Sequence, residues 1–232
     1  VRLKSRGQPV TQVDTTIENA AREAILSTWP GHAIVGEEFG VHAGEGTTWY
    51  IDPIDGTMNF ARGIPLFAVS IGVAQNGRMV AGHILDPLRR EHFRAWAKGG
   101  SWLGDRRLEV STLRDLDRVN VSMLHSSRSR FLHRPGFMQE AHRRIQKTRK
   151  LGTIALELAY VAAGRLDLLV AGKGKPQAWW DIAAGWALVT EAGGRVTDLA
   201  GDPLDESARD LVAGAPALVS AFLSQRGGGR AG

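Results

Sequence analysis

The chain has 232 residues, 43% of them hydrophobic, and its 29 Lys and Arg against 24 Asp and Glu give a formal charge of +5. This is an ordinary globular composition, long enough for one large domain or two small ones, and it excludes bulk disorder and collagen-like repeats. The lack of cysteine excludes a disulfide framework, a thiolate zinc site, an iron–sulfur cluster and a catalytic cysteine. It also suits a reducing compartment, so we expect a cytoplasmic protein. No apolar run reaches the ~18 residues of a membrane span, so no membrane partner is expected.

The predicted elements mix helices and strands along the whole chain. Apolar residues at helical spacing predict a first helix, with Asp14 as its candidate N-cap, and Asn76-Gly77 between two apolar runs is typical of a β-hairpin. In chain order, the patterns predict helices over 15–29, 57–61, 135–150, 153–163, 181–192 and 217–225. They predict strands over 33–35, 48–51, 67–74, 79–85, 92–97, 107–110, 119–123, 166–170, 195–199 and 211–213. Since hairpins occupy the middle of the chain, we expect an α/β (α+β) protein built in layers rather than a purely parallel array.

The most informative segment runs from Trp49 to Phe60 and reads WYIDPIDGTMNF. An apolar strand delivers Asp52 and Asp55 to a tight turn, where Pro53 restrains Asp52 to an extended conformation. Gly56 can take backbone angles closed to other residues and leaves room for a ligand. The free N–H groups of the helix that follows suit a phosphate, and the carboxylates beside them suit metal ions.

Two further acidic features lie at the edges of apolar segments. Glu37 and Glu38 follow a short strand, and Asp181 precedes an apolar helix. An unpaired buried carboxylate is costly, and a divalent cation is one partner that would relieve that cost. Because every candidate ligand is an oxygen, Mg²⁺, Mn²⁺ or Ca²⁺ is favoured over zinc or copper. Taken singly, Asp14 and Asp181 are more often helix N-caps, and residues 52–56 are as typical of a plain turn. The features together favour a functional site.

With these motifs, the sequence resembles the inositol monophosphatase family. The matching segments, which span nearly the whole chain from Val1 to about Phe222, are 10–14, 36–38, 49–60, 152–156, 180–185 and 190–194. The resemblance implies a layered α-β-α-β-α sandwich of the inositol monophosphatase and fructose-1,6-bisphosphatase type. It implies one unit over residues 1–226, with a metal- and phosphate-site half over 1–125 and a second α/β half over 126–226. Residues 227–232 would be a flexible tail.

The resemblance also implies Mg²⁺-dependent hydrolysis of a phosphate monoester, with two to three ions, Mn²⁺ as a substitute, and lithium sensitivity. By position, the metal ligands would be Glu37, Asp52, the carbonyl of Ile54, Asp55 and Asp181. The catalytic residues would be Asp14 and Thr57, which orient and deprotonate the attacking water, and Glu37, which also holds the third ion. The phosphate and substrate contacts would be Asp55, Gly56, Thr57, Gly152, Thr153, Lys175 and Asp181. These roles imply in-line attack by a water that the ions activate, with no covalent intermediate.

Two departures from the family pattern bear on assembly and substrate. Family members usually carry a helix before the segment that matches Val1 to Lys4, and its absence would expose apolar surface and weaken the homodimer that the family usually forms. Where inositol-selective members place an acid, residues 171–177 instead carry Lys173 and Lys175. Two lysines favour an additional anionic group or no strong preference. The substrate stays open among inositol monophosphate, histidinol phosphate, fructose 1,6-bisphosphate and phosphoadenosine-type nucleotides.

A non-catalytic relative that binds RNA or protein is the alternative to an enzyme. Residues 128–150 hold eight basic residues and one acid, Glu140. A solvated helix face explains this spacing, and no aromatic stacking pattern accompanies the charge, as single-strand binding would need. Nucleic acid is therefore not expected as a partner. The intact carboxylates favour an enzyme that acts on a small phosphorylated metabolite.

Overall fold

Two large β-sheets, with helices between and outside them, make up the fold. The structure, a computed structural model, describes residues 2–3, 9–10, 12–125, 143, 145, 147–172, 176–205 and 207–224. The described helices are α1 (Gln12–Thr28), α2 (Thr57–Ala61), α3 (Ile154–Ala162), α4 (Trp179–Glu191) and α5 (Pro216–Ser224). The described strands are β1 (Arg2–Leu3), β2 (Pro9–Val10), β3 (Ala33–Gly36), β4 (Gly40–His42), β5 (Thr47–Asp55), β6 (Ala68–Gln75), β7 (Arg78–Asp86), β8 (Glu91–Trp96), β9 (Gly100–Leu103), β10 (Arg106–Leu108), β11 (Asn120–His125), β12 (Lys147–Arg149), β13 (Leu168–Gly172), β14 (Arg195–Thr197) and β15 (Asp210–Gly214).

The strands form two large sheets and one small one. The first sheet has eight strands in the order β10-β9-β8-β7-β6-β5-β3-β4, with β3 and β5 parallel and the other neighbouring pairs antiparallel. The second has five strands in the order β12-β11-β13-β15-β14, and its β11 is parallel to both neighbours. Strands β1 and β2 pair with each other.

Side-chain alternation in β6 shows that the first sheet is covered on both faces. Ile71 packs with Ile25 of α1 and Ile51 of β5. Its neighbour Gly72 faces α4, where a Cβ on Gly72 would lie 2.5 Å from the Cβ of Ala183. Because successive strand residues point to opposite faces, α1 and α4 lie on opposite sides of this sheet.

The same alternation in β13 places the second sheet between two helical layers. Leu169 and Ala171 belong to the core that includes α3 and α4, whereas Leu168 and Val170 belong to a core with Phe222 of α5. The layers are therefore helix, sheet, helix, sheet, helix, which confirms the predicted α-β-α-β-α sandwich. Among the described residues, no helix combines the length and apolar character needed to cross a bilayer.

Most of the element predictions in the described residues are confirmed, and the Asn76-Gly77 hairpin is the sharpest case. Both residues have positive φ, 49° and 76°, as a tight turn between twisted antiparallel strands requires. Strands β6 and β7 pair on either side of this turn. Local sequence therefore specifies this hairpin.

Three predictions about elements are wrong. The strand predicted to stop before Asp52 runs on to Asp55, because β5 accommodates one extra residue against β6 between the two aspartates. Gly100–Leu103, in the stretch between the predicted strands 92–97 and 107–110 where no element is predicted, is a strand that pairs with β8. Lys147–Arg149, predicted to end a helix over 135–150, is an exposed strand parallel to β11. The basic residues in this segment indicate exposure to solvent. An edge strand is exposed just as a helix face is, so the composition does not distinguish the two. The rest of that predicted helix lies largely outside the described residues.

Candidate active site

A bulge in β5 brings two aspartates to one face of the first sheet. Asp52 pairs with Ser70 and Asp55 with Ala68, so β5 advances by three residues while β6 advances by two. Ser70 and Ala68 share a face because side chains alternate along a strand, and the aspartates opposite them share that face too. The Ser70 hydroxyl donates to the carbonyl of Trp180 in α4 at 3.4 Å. Both carboxylates therefore point toward the inner helices.

Asp55 caps the N-terminus of α3. Its Oδ2 accepts the N–H of Ala155 at 2.7 Å and the hydroxyl of Thr153. Thr153 is fully buried and makes no side-chain cap bond to its own helix. The structure thus brings two predicted site residues, Asp55 and Thr153, into direct contact.

The pKa of Asp52 lies well above the usual range of an aspartate. Burial is the main cause, and the negative charges of Asp55, Glu37 and Asp181 raise the pKa further, as does a hydrogen bond with Glu37. The N–H of Ile54 donates to Oδ1 of Asp52 at 3.0 Å. The four acidic side chains therefore share one neighbourhood, where the other three disfavour the ionised form of Asp52.

This group of carboxylates fits divalent cations by its chemistry. Carboxylate oxygens suit Mg²⁺ and Mn²⁺, and a cation would remove the repulsion that raises the pKa of Asp52. Within the described ranges, no three His, Cys, Asp or Glu side chains already converge as they would in a closed metal site. The carboxylates are neighbours rather than a preformed cage.

Glu37 reaches the group because β3 and β5 are parallel neighbours. Parallel strands bring their carboxyl ends to one edge of a sheet. The N–H of Glu37 donates to the carbonyl of Ile51 at 3.2 Å, and its side chain is half-buried. The parallel pairing of β3 with β5 thus places Glu37 beside Asp52.

The predicted water-orienting pair, Asp14 and Thr57, comes from α1 and α2. Asp14 is fully buried inside the first turn of α1, so its interpretation as an N-cap is wrong. Thr57 opens α2, and its hydroxyl donates to the carbonyl of Ile54 at 2.9 Å. Gly56 has a φ of 92°, and a Cβ on it would lie 3.0 Å from the carbonyl oxygen of Leu66. Backbone angle and space both require glycine at this turn.

Asp181 lies inside the first turn of α4, which begins at Trp179, so it is not an N-cap either. Its N–H donates to the carbonyl of Ala178 at 3.1 Å. The Trp179 ring lies 5.9 Å from that of Tyr50 in β5 and 5.5 Å from that of Trp186. These aromatic contacts hold the start of α4 against the first sheet.

Two of the predicted phosphate and substrate contacts, Gly152 and Thr153, lie at the start of α3. Gly152 is exposed and has a φ of 80°, next to the buried Thr153. Lys175 lies outside the described residues. Sequence analysis missed Asn59, whose amide donates at 2.8 Å to the carbonyls of both Leu66 and Leu151. Asn59 stands inside the motif, but one of its partners, Leu151, lies 92 positions away in the chain.

Two fully buried acids were also missed, Glu157 and Glu18. Glu157 accepts the N–H of Leu151 at 2.6 Å, and burial is the main cause that raises its pKa to about 7. Glu18 accepts the N–H of Glu38 at 2.7 Å. Its position four residues after Asp14, on the same face of α1, is the signal that could have found it.

Comparison with known proteins assigns the family. A sequence model described as the inositol monophosphatase family matches residues 2–226. The chain belongs to the inositol monophosphatase family. It is 39% identical over 233 residues to an inositol-1-monophosphatase of Mesorhizobium japonicum and 38% identical over 227 residues to the Nus factor SuhB of Pasteurella multocida. Each of these matches covers 96% of this chain and 84% of the relative.

Solved structures agree with this inositol monophosphatase family assignment. The crystal structure of the extragenic suppressor protein SuhB of Bartonella henselae matches with a TM-score of 0.88 and 32% identity. The match covers 99% of this chain and 90% of that protein. The predicted resemblance and the predicted fold are both confirmed.

Proposed function

We propose that this inositol monophosphatase family member is a Mg²⁺-dependent hydrolase of phosphate monoesters, acting on a small phosphorylated metabolite. The observation that carries the proposal is the shared neighbourhood of Glu37, Asp52, Asp55 and Asp181, where burial, and after it the neighbouring charges, raise the pKa of Asp52. The Gly56 turn opens α2 directly beside it. Phosphate monoesters are doubly charged and react with water extremely slowly, so cations held at a phosphate-binding turn supply what hydrolysis needs.

The carboxylates of Glu37, Asp52, Asp55 and Asp181, with the carbonyl of Ile54, would hold two to three Mg²⁺ ions, for which Mn²⁺ would substitute. When bound, the ions would neutralise the phosphate charge and lower the pKa of a nearby water. Oxygen ligands, one of them a backbone carbonyl, suit these hard cations.

The protein's own groups would bind the phosphate and handle the proton. The N–H groups of Gly56 and Thr57 would donate to phosphate oxygens. The Thr57 hydroxyl donates to the carbonyl of Ile54, so its oxygen can accept a hydrogen from the attacking water. Asp14 would accept the proton as the water oxygen bonds to phosphorus and the ester P–O bond breaks. The departing alkoxide would take a proton from solvent water, so the products are inorganic phosphate and the free alcohol.

The alcohol part of the substrate would lie against the exposed Gly152 at the α3 N-terminus, and the buried Thr153 would support this contact through its hydrogen bond to Asp55. Asp55 touches this point through Thr153, which supports a site where phosphate and alcohol meet. Lys175 would contact a further anionic group of the substrate. As substrate we propose first an inositol monophosphate, or a range of phosphate esters if the specificity is broad. Histidinol phosphate, fructose 1,6-bisphosphate and phosphoadenosine-type nucleotides are the alternative substrates.

Phosphate release from a panel of these esters at fixed Mg²⁺ tests the proposal, with Asp181→Asn as the inactive variant. Asp202→Asn, an exposed position, makes the same chemical change away from the site and should behave as wild type. We expect release from at least one ester, abolished by EDTA and by Asp181→Asn. A folded chain that binds Mg²⁺ but releases no phosphate from any ester would refute the enzyme.

A second candidate is a non-catalytic RNA- or protein-binding role. The similarity to proteins named Nus factor SuhB favours it, since that name describes a factor rather than an enzyme. Retention on heparin that weakens steeply with salt, without phosphate release, would support binding to a nucleic acid. Phosphate release that Asp181→Asn removes would favour the enzyme.

The remaining proposals concern assembly and location. We propose a homodimer, a cytoplasmic location and lithium sensitivity, by analogy with the family, and a single folded unit over residues 1–226. Packing of α3 and α4 into the core between the two sheets supports one unit. The lack of cysteine supports a reducing compartment. Sedimentation of the purified chain and phosphate release in the presence of Li⁺ test the first and third.

A further inference from the structure

We propose that Glu18 is a positioning residue that fixes Glu37 relative to Asp14, and this inference rests on the proposed hydrolase function. Glu18 lies one helical turn after Asp14 on the buried face of α1 and is fully buried. It is not among the proposed metal ligands or catalytic residues. A carboxylate buried this completely needs compensating partners, and their identity shows what the side chain does.

The partners of Glu18 belong to the turn that follows Glu37. Its Oε2 accepts the N–H of Glu38 at 2.7 Å, and its Oε1 accepts the N–H of Phe39 at 3.1 Å. Two successive backbone donors thus converge on one side chain. Hydrogen bonds to an ionised acceptor are about twice as strong as neutral ones, so the turn is held firmly to α1.

Arg22 closes the same clamp from the other side. Its Nε donates to Oε1 of Glu18 at 2.9 Å, its guanidinium also donates to the carbonyl of Gly40, and its Cζ lies 5.8 Å from the centre of the Phe39 ring. The Glu18 carboxylate accepts hydrogen bonds from two N–H groups of the turn, and the Arg22 guanidinium donates one to a carbonyl of the same turn. Residues 38–40 are therefore fixed to α1 through both kinds of backbone group.

Gly36, the last residue of β3, packs directly on this carboxylate. A Cβ on Gly36 would lie 1.9 Å from Oε1 of Glu18, so the strand end approaches as closely as it does because it ends in glycine. Glu37 is then bracketed between two anchors. Its own N–H donates to Ile51 of β5 at 3.2 Å, and the next N–H along the chain donates to Glu18.

This bracket ties together the two sides of the site. Ile51 immediately precedes Asp52, and Glu18 follows Asp14 by one turn on the same helix. A shift of Glu37 would therefore change its placement against both Asp52 and Asp14. Glu18 does not need to touch the ions or the substrate to set the geometry in which Glu37 meets them.

Mg²⁺ binding by the full chain, measured by calorimetry, tests the inference with Glu18→Gln. The amide of Gln has nearly the size of the Glu18 carboxylate, but its NH₂ group would face one of the N–H groups that donate to Glu18. Two donors would then meet, one hydrogen bond would be lost, and the turn would loosen. Glu23→Gln, at an exposed position on the same helix, is the matched control. We expect Glu18→Gln to bind Mg²⁺ about 10- to 100-fold more weakly, the usual effect of removing a group that orients a metal ligand. Glu23→Gln should match wild type.

A merely structural role would lower the melting temperature in EDTA without changing the Mg²⁺ dissociation constant of the folded protein. Equal Mg²⁺ affinity in Glu18→Gln and Glu23→Gln would therefore overturn the inference. If Glu18→Gln does not fold, Arg22→Met decides, because it opens one side of the clamp and leaves both backbone bonds to Glu18. It should weaken Mg²⁺ binding in the same direction by a smaller factor, and unchanged affinity would refute the inference. A wild-type chain that binds no Mg²⁺ would overturn the proposed function itself, and this inference with it.

Discussion

The carboxylate of Asp55 accepts the N–H of Ala155 at 2.7 Å, although the two residues lie 100 positions apart in the chain. One oxygen of Asp55 therefore caps α3 and links the end of β5 to the inner helical layer. The same side chain is a proposed ligand of Mg²⁺. Stability and ion binding thus depend on one group, and different substitutions should separate them.

Asp55→Asn keeps an oxygen that can accept from Ala155 but loses the negative charge, whereas Asp55→Ala loses both. We expect both variants to lose phosphate release by about 100-fold or more, the scale of removing one preorganised electrostatic group. In EDTA, Asp55→Ala should be less stable than Asp55→Asn by about 1 kcal/mol, the usual value of an N-cap. Urea unfolding in EDTA measures this difference. Equal stability of the two variants would show that the cap contributes nothing.

Glu157 should make the metal-free protein less stable as pH rises. Its pKa is raised from 4.5 to about 7, chiefly by burial, so the folded state prefers the protonated form. The stabilisation is complete below the unfolded pKa and is lost as pH rises through the folded pKa. In EDTA, wild type should lose of the order of 3 kcal/mol relative to Glu157→Gln between pH 4.5 and pH 7.

Urea unfolding at several pH values measures the effect of Glu157. The amide of Glu157→Gln keeps an oxygen for the N–H of Leu151, so the loop contact is retained while the ionisation is removed. Glu23→Gln should show the wild-type pH dependence because Glu23 is exposed. Parallel pH profiles for wild type and Glu157→Gln would contradict the raised pKa.

Asn59 should fix the segment at Leu151 and Gly152, where the substrate alcohol would lie, against the turn at Gly56, where the phosphate would bind. Its amide holds the carbonyls of Leu66 and Leu151 at 2.8 Å each, so Asn59→Asp removes both donors and adds repulsion. We expect a stability loss of about 2 kcal/mol from the two bonds. We also expect kcat/KM to fall more for an ester with a bulky alcohol than for a minimal one, because Gly152 follows Leu151.

Asn76→Asp is the matched control for Asn59→Asp. Asn76 occupies the β6–β7 turn, where Asp is equally accepted before Gly. It should leave both urea unfolding and the ratio of kcat/KM values unchanged. A proportional loss of activity on both esters in Asn59→Asp would reduce Asn59 to a stability role.

Gly72→Ala should move α4 and with it Asp181. The added Cβ would lie 2.5 Å from the Cβ of Ala183 and 2.7 Å from the backbone nitrogen of Ala184, so the helix must shift. Overpacking of this kind costs about 1 to 3 kcal/mol, and phosphate release should fall with it. Gly31→Ala meets nothing within 4 Å and is the control. Wild-type melting and activity in Gly72→Ala would mean that sheet and helix are less tightly packed than the structure indicates.

The segment from Trp49 to Phe60 made the core of the site predictable, because strand, turn and helix follow one another in a single stretch. The bulge between Asp52 and Asp55 was not predictable in the same way. The bulge depends on which residues of β6 pair with Asp52 and Asp55. The local pattern does not contain this pairing, so it predicted a turn directly after residue 51. The short apolar strand before Glu37 likewise gave no sign of its parallel partner.

Contacts across the chain account for what sequence analysis missed. Asp14 has the residue type and position of an N-cap, and only the earlier start of α1 shows that it is buried inside the first turn. Glu18 is an ordinary residue for a helix, and Asn59 is one polar residue of the segment from Trp49 to Phe60. Their roles depend on hydrogen-bond partners that only the folded chain brings to them. The five-stranded sheet was harder to predict at β12, where an exposed edge strand and a solvated helix share the same basic composition.

Phosphate release by the wild-type chain from a mixture of phosphate monoesters decides whether the protein is a Mg²⁺-dependent hydrolase. It would be followed continuously at fixed Mg²⁺, after addition of excess EDTA, and after Mg²⁺ is restored. We expect steady release that stops with EDTA and resumes with Mg²⁺. Absence of release in Mg²⁺ from folded protein, or release that continues in EDTA, would show that the protein is not a Mg²⁺-dependent hydrolase.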